Sequence, residues 1–177
     1  WIQSKVEDLA ELEREALEEC VQRSALAHAT HIAQGGDPFE TGSSRPLDYG
    51  HWSAHKLEQL TNFELSHADA VAVGVALDTV YSWKTGKLTQ VQATRVLDLL
   101  LALEMPIWHD AYELRDSHNV RRVFAGVEEF REHLGGQLTV MMLKDLGQGE
   151  DVHELDQSVL EWAMKWLEDY KNTKVCS

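Results

Sequence analysis

Three histidines carry the chemistry that this chain can offer. His51, His55 and His67 lie within the stretch SRPLDYGHWSAHKLEQLTNFELSHADAVAVGV, residues 44–75. His51 and His55 are four apart, so a helix over residues 49–60 puts both rings on one face, one turn from each other. Asn62, Phe63 and Glu64 read as a connector, and His67 then opens a second helix over residues 68–83. That helix is apolar almost all round, through Ala70, Val71, Val73, Val75, Ala76, Leu77 and Val80, which places it inside a domain. Imidazole ligates zinc or cobalt well, and a catalytic zinc site takes three protein ligands plus an open position. Each ring also has a plainer reading, because buried histidines often only hydrogen-bond a carbonyl or carboxylate. For His55 the partner would be Glu58, on the same helix face.

The elements around these residues are mostly helical. Residues 1–9 read as the tail of a helix and residues 12–33 as a second one, whose outer face alternates Glu and Arg. GGDPFETGSS, just ahead of the histidine stretch, is a loop. After the apolar helix, Lys84-Thr85-Gly86-Lys87 breaks the pattern. Thr89 with Gln92 then has the form of a capping box, opening a helix to about Leu103 that Pro106 ends. A further helix is predicted over residues 119–134, stopped by Gly135-Gly136. Residues 138–143 are the best strand candidate, paired with 152–155 across the turn at Gly147 and Gly149. Ser158 with Glu161 makes a second capping box before a last helix to Tyr170. The fold class is therefore mainly α with one small β-hairpin, in a single helical domain over residues 1–177.

Composition narrows the function classes. With 44% hydrophobic and 26% charged residues in 177, the chain reads as one soluble domain with a proper core. No apolar run reaches the length of a membrane span and no signal peptide opens the chain. Cys20 and Cys176 do not demand a disulfide, and a reduced cytoplasmic setting is the simpler expectation. A formal net charge of -14 argues against nucleic acid or an anionic membrane as partner.

GHWSAHKLE followed by LSHADAVAVG resembles the paired signature of the 3-dehydroquinate synthase group of sugar phosphate cyclases. There a GHTxGHAxE segment precedes an LHGEAVAxG segment by a similar spacing. The match covers Gly50, His51, His55, Glu58, Leu65, His67, Ala70, Val71, Ala72 and Gly74. It departs at Trp52 for the usual Thr, Ala54 for Gly, Lys56 for Ala, and Ala68-Asp69 for Gly-Glu.

The resemblance implies the helical C-terminal domain of the dehydroquinate synthase-like fold, with a nucleotide-binding N-terminal domain that would lie ahead of Trp1. It makes His51 and His67 the metal ligands, for Zn or Co. The family's third ligand, a glutamate, would also fall ahead of Trp1. NAD would bind only through that other domain, and no Gly-rich dinucleotide fingerprint occurs in these residues. His55 matches a histidine that contacts the phosphate and assists proton transfer. Arg45 lies one residue from a substrate-binding arginine, and Asp48 stands where the family usually has Asn. Lys56 could add charge near the phosphate or point to solvent. His28 takes the place of an upstream lysine, and Arg131 or His133 that of a late lysine that closes over substrate.

The implied function is a sugar phosphate cyclase, catalysing NAD- and metal-dependent phosphate elimination and aldol cyclisation when complete. The altered substrate-facing groups point to a sugar phosphate other than that of dehydroquinate synthase proper, and the chain alone is expected to be inactive. Two rival readings are a non-catalytic helical dimerisation module derived from that fold and an HD-type metal phosphohydrolase, the latter suggested by His109-Asp110. A homodimer is expected, with Trp1, Ile2, Trp52 and the loop over residues 35–44 at its interface.

Overall fold

The apolar run after His67 becomes the central helix of the protein. A computed structural model describes residues 1–35, 45–133 and 136–175. Among these, the helices are α1 (Val6–Ala10), α2 (Arg14–Gly35), α3 (His51–Leu60), α4 (His67–Lys84), α5 (Gln90–Ala102), α6 (Ala125–His133) and α7 (Gln157–Val175). Strands β1 (Val140–Asp145) and β2 (Gln148–Val152) form an antiparallel hairpin. Short 3-10 turns cover Ile2–Lys5, Arg45–Asp48, Asp110–Glu113 and Arg122–Phe124. The fold is mainly helical with one two-stranded hairpin, in agreement with the sequence. None of the described helices is long and apolar enough to cross a membrane.

Ser66 caps α4 by accepting the Asp69 N–H at 3.1 Å, and from Ala70 to Ser82 the helix is buried on nearly every face. Helices α3, α5 and α7 and strand β1 pack around it. Leu57 of α3, Leu97 of α5, Leu160 and Met164 of α7, and Val140 and Met142 of β1 close the core. Removing these side chains from water is the main stabilising term, roughly 1.5–3 kcal/mol for each large apolar group. Helix α5 begins on the predicted capping box. Thr89 Oγ1 accepts the Gln92 N–H at 3.2 Å while Gln92 Oε1 accepts the Thr89 N–H at 2.9 Å.

Several boundaries differ from expectation, each for a local reason. Leu12 takes a left-handed φ of 57°, so α2 starts at Arg14. The helix predicted from residue 119 begins only at Ala125, after a 3-10 turn. Asn119 sits at φ 63°, and Asp116 Oδ1 accepts the N–H groups of His118 and Val120, which folds that segment into a side-chain-bonded turn instead. The second strand is Gln148–Val152 rather than 152–155. Gly147 at φ 76° reverses the chain so tightly that pairing resumes at once, with Asp145 opposite Gln148 and Val140 opposite Val152. Helix α7 is capped not by Ser158 but by Asp156, whose Oδ1 accepts the N–H groups of Ser158 and Val159. It runs past Tyr170 to Val175, where Tyr170 and Lys174 both bond Asp98 of α5.

Trp52 also departs from expectation. It is 1% exposed, packed in the core with its indole N–H donating to Asp78 at 2.8 Å, and so it offers no side chain to an interface. Most of the loop assigned to the interface, residues 36–44, lies outside the described residues.

Candidate metal centre

The site is built where α3 and α4 begin. Gly50 caps α3 at φ 83°, a left-handed conformation that glycine adopts without strain, and this sharp entry makes His51 the first residue of the helix. His55 follows one turn later. Thr61, Asn62 and Phe63 then turn the chain, with Asn62 at φ 52° and Phe63 at φ 61°, and His67 becomes the first residue of α4. The two helices pack together, so the three rings meet at one corner. Ring centroids are 5.7 Å apart for His51 and His55, 5.5 Å for His51 and His67, and 6.0 Å for His55 and His67. Tetrahedral ligation with metal–nitrogen bonds of about 2.0–2.1 Å puts imidazole centroids roughly 5 Å apart. The triangle is slightly wider than that, within reach of side-chain adjustment.

Two of the rings are already oriented. His51 Nδ1 lies 3.2 Å from the Tyr49 carbonyl and His67 Nδ1 lies 3.2 Å from Glu58 Oε1. A carbonyl or an ionised carboxylate can only accept, so Nδ1 carries the proton in each and Nε2 is left with its lone pair for a metal. Glu58, which the plainer of two sequence readings pairs with His55, bonds His67. Ligand atoms of His55, Glu58 and His67 all lie within 4.8 Å of one another, close enough to share an ion, while His51 stands outside that trio. His55 and His67 are exposed and His51 is half-buried, which leaves the corner open to a small molecule.

Beside the histidines a cleft of about 580 Å³ runs between α3 and α6, lined by His55, Lys56, Glu58, Phe63, Glu129 and Phe130, among others. Lys56 does not point to solvent. Its Nζ meets Glu129 at 2.5 Å and Gln59 at 3.0 Å, so its charge is countered at the cleft wall.

The remaining residues singled out from the sequence fare unevenly. Asp48 ends the 3-10 turn three residues before His51 and is half-buried. Arg45 starts that turn, and His133 ends α6, but the side chains of both lie outside the described residues. His28 is exposed on α2, a helix whose main packing is on α1. Arg131 is not among the groups lining the cleft; it pairs with Glu128 one turn back on α6 at 2.9 Å. His109, the basis of the phosphohydrolase reading, is a helix cap: its Nδ1 accepts the Ala111 N–H at 3.1 Å. Sequence reasoning passed over Asp78, the lone charged group in the apolar run of α4, which bonds the residues on both sides of His51.

The sequence profile of the family described as 3-dehydroquinate synthase C-terminal matches residues 1–125. A 3-dehydroquinate synthase of Haemophilus ducreyi is 28% identical over 149 residues, which is 84% of this chain and 39% of that protein. A 2-epi-valiolone synthase of Actinosynnema mirum is 30% identical over 158 residues, 87% of this chain and 40% of that protein. The chain thus spans about two fifths of the length of these curated relatives. Among solved structures, a 2-epi-5-epi-valiolone synthase from Streptomyces hygroscopicus subsp. jinggangensis 5008, with NAD+ and Zn2+ bound, superposes with a TM-score of 0.78. It is 20% identical, and the match covers 94% of this chain and 45% of that one, a likeness of fold.

Proposed function

The chain belongs to the 3-dehydroquinate synthase C-terminal family, and from that premise we propose that it supplies the metal-binding half of a sugar phosphate cyclase. The observation that carries the reading is the convergence of His51, His55 and His67, with the Nδ1 atoms of His51 and His67 both anchored. His51 and His67 would hold a divalent ion, Zn or Co, through Nε2, with Glu58 keeping His67 in the right tautomer. When bound, such an ion supplies Lewis acidity toward a substrate hydroxyl. NAD, present in the structural neighbour, would be held by residues outside this chain.

The other side chains fit roles around that centre. His55, exposed beside both ligands and lining the cleft, is placed to pass a proton and to meet a phosphate oxygen. Lys56 forms the cleft wall with Glu129, and this pairing leaves less free positive charge for an anion than an unpaired lysine would. Arg45 and Asp48, in the turn leading to His51, remain candidates for substrate contact, and His28, Arg131 and His133 weaker ones. The altered charge around the cleft favours a sugar phosphate other than the dehydroquinate synthase substrate.

Exposed apolar side chains on α2, Val21 at 68% and Leu26 at 69%, support a domain that works against a further surface. We include a homodimer in the proposal on the same ground, with Ile2, 42% exposed at the start of the chain, as a further apolar group; sedimentation at moderate salt tests it. The isolated chain should neither bind NAD tightly nor release phosphate from a sugar phosphate.

Titration of the metal-free chain with Co2+, followed by its visible absorption, tests the centre. His51→Ala and His67→Ala should each lose at least about tenfold in affinity, while His153→Ala, whose ring bonds Leu138 far along the chain, should not. Equal affinity in all four proteins would refute the site.

A further inference from the structure

The residues flanking His51 at the start of α3 are tied to partners behind them. The Tyr49 hydroxyl bonds Thr79 Oγ1 at 2.6 Å, and the Tyr112 hydroxyl donates to Ser53 Oγ at 3.3 Å. Between them, one carboxylate spans the ligand residue. Asp78 Oδ2 accepts the Gly50 N–H at 3.0 Å and its Oδ1 accepts the Trp52 indole N–H at 2.8 Å. Asp78 is 0% exposed, and among the described residues no cationic side chain pairs with it. It lies one turn beyond Gly74 on α4, and Gly74 is the residue on which Gly50 rests.

A buried carboxylate without a cation is an expensive way to stabilise a core, since an apolar residue of similar size would usually serve better. Its placement here has a more specific result. Fixing Gly50 and Trp52 fixes the direction in which residue 51 leaves the helix. It also steadies the Tyr49 carbonyl that takes the His51 Nδ1 proton. The partial positive charge at the start of α3 lowers the cost of the carboxylate at that point.

We infer that Asp78 is the positioning residue for His51, clamping the residues on either side so that the ring presents an unprotonated Nε2. The inference rests on the reading of His51 as a metal ligand, but the positioning itself is measurable without metal. Asp78→Asn keeps the volume and leaves an NH2 group facing one of the two donors. Trp52→Phe removes the indole donor and trims the side chain while keeping a buried aromatic ring.

The first measurement is the ring 15N shifts of the histidines in the metal-free full chain at pH 8. Wild-type His51 should show the Nδ1–H form; in Asp78→Asn and Trp52→Phe it should become a mixture with Nε2–H. His67, held by Glu58, should not change and serves as the internal reference. An unaltered His51 tautomer in both variants overturns the inference. Should Asp78→Asn fail to fold, Trp52→Phe alone decides. The second measurement is Co2+ affinity, which should fall about 10–100-fold in the variants. Leu97→Ala, a core truncation on α5, provides a destabilised control. An equal fall in Leu97→Ala would make Asp78 a core residue only and overturn the inference. If wild type binds no Co2+, the metal-site reading fails while the tautomer measurement still stands.

Discussion

Gly50 and Gly74 touch backbone to backbone: a Cβ placed on Gly74 would sit 1.9 Å from the Gly50 carbonyl oxygen. A Cβ on Gly50 would in turn meet the Val75 nitrogen at 2.6 Å. This contact joins the start of α3 to the middle of α4 and so sets how far His51 stands from His67. The obstacle is backbone, which cannot swing away as a side chain can. Gly74→Ala should therefore cost about 3 kcal/mol or more, or prevent folding. Gly86→Ala is the control, since it has φ 80° but nothing within 4 Å, and should cost only about 1 kcal/mol of backbone strain. Urea denaturation of the two variants compares them directly, and similar losses would contradict the argument.

Glu58→Gln should weaken metal binding by about 10–100-fold while leaving the melting temperature nearly unchanged. Its carboxylate holds the His67 Nδ1 proton, and an amide oxygen holds it less firmly. Calorimetric titration with Zn2+ measures the change; undiminished affinity would remove Glu58 from the site.

Asp78 gives the chain a specific pH dependence. Burial raises its pKa from an ordinary 3.8 to about 7, outweighing the hydrogen bonds from Trp52 and Gly50 that act the other way. Between those values the folded state keeps a proton that the unfolded state has released. The contribution is therefore full below about pH 4, declines as pH rises, and is gone above about pH 7. Relative to Asp78→Asn, wild type should lose up to about 4 kcal/mol across that interval. Chemical denaturation of both proteins at pH 5 and pH 8 reads the difference, in which the other carboxylates cancel. A gap that does not change with pH would show that Asp78 titrates normally.

Arg121 is 5% exposed and binds three acceptors: Glu161 at 2.7 Å, Glu113 at 2.7 Å and the Tyr112 carbonyl at 2.6 Å. Arg121→Ala strands that carbonyl, whereas the two carboxylates reach water and rehydrate. A loss of about 2 kcal/mol follows, or roughly 4–8 °C in melting temperature for a chain of this size. Scanning calorimetry of the variant checks it. A shift under about 1 °C would mean that water replaces the guanidinium without penalty.

What could be read from the chain in advance were arrangements closed within one or two turns. The Thr89 and Gln92 capping box formed as expected because all its atoms lie in a single helical turn. The burial of α4 followed from an apolar run too wide for a surface helix. Polar Gln148–Val152 gave no strand signal, since its pairing depends on β1 and on the reversal at Gly147. The early start predicted for α6 failed because apolar spacing says nothing of Asp116 capturing two N–H groups.

The same division holds at the site. The four-residue spacing of His51 and His55 and the placement of His67 at the head of an apolar helix are properties of the sequence alone, because helical geometry converts spacing into direction. Which faces meet was decided only in three dimensions. The turn at Asn62 and Phe63 brought His67 to Glu58, nine residues back in the chain. Close approach at Gly50 and Gly74 brought the rings within 5.5–6.0 Å of one another and put Asp78 behind His51. Contacts between residues distant in the chain depend on packing, and packing is not encoded in any local spacing.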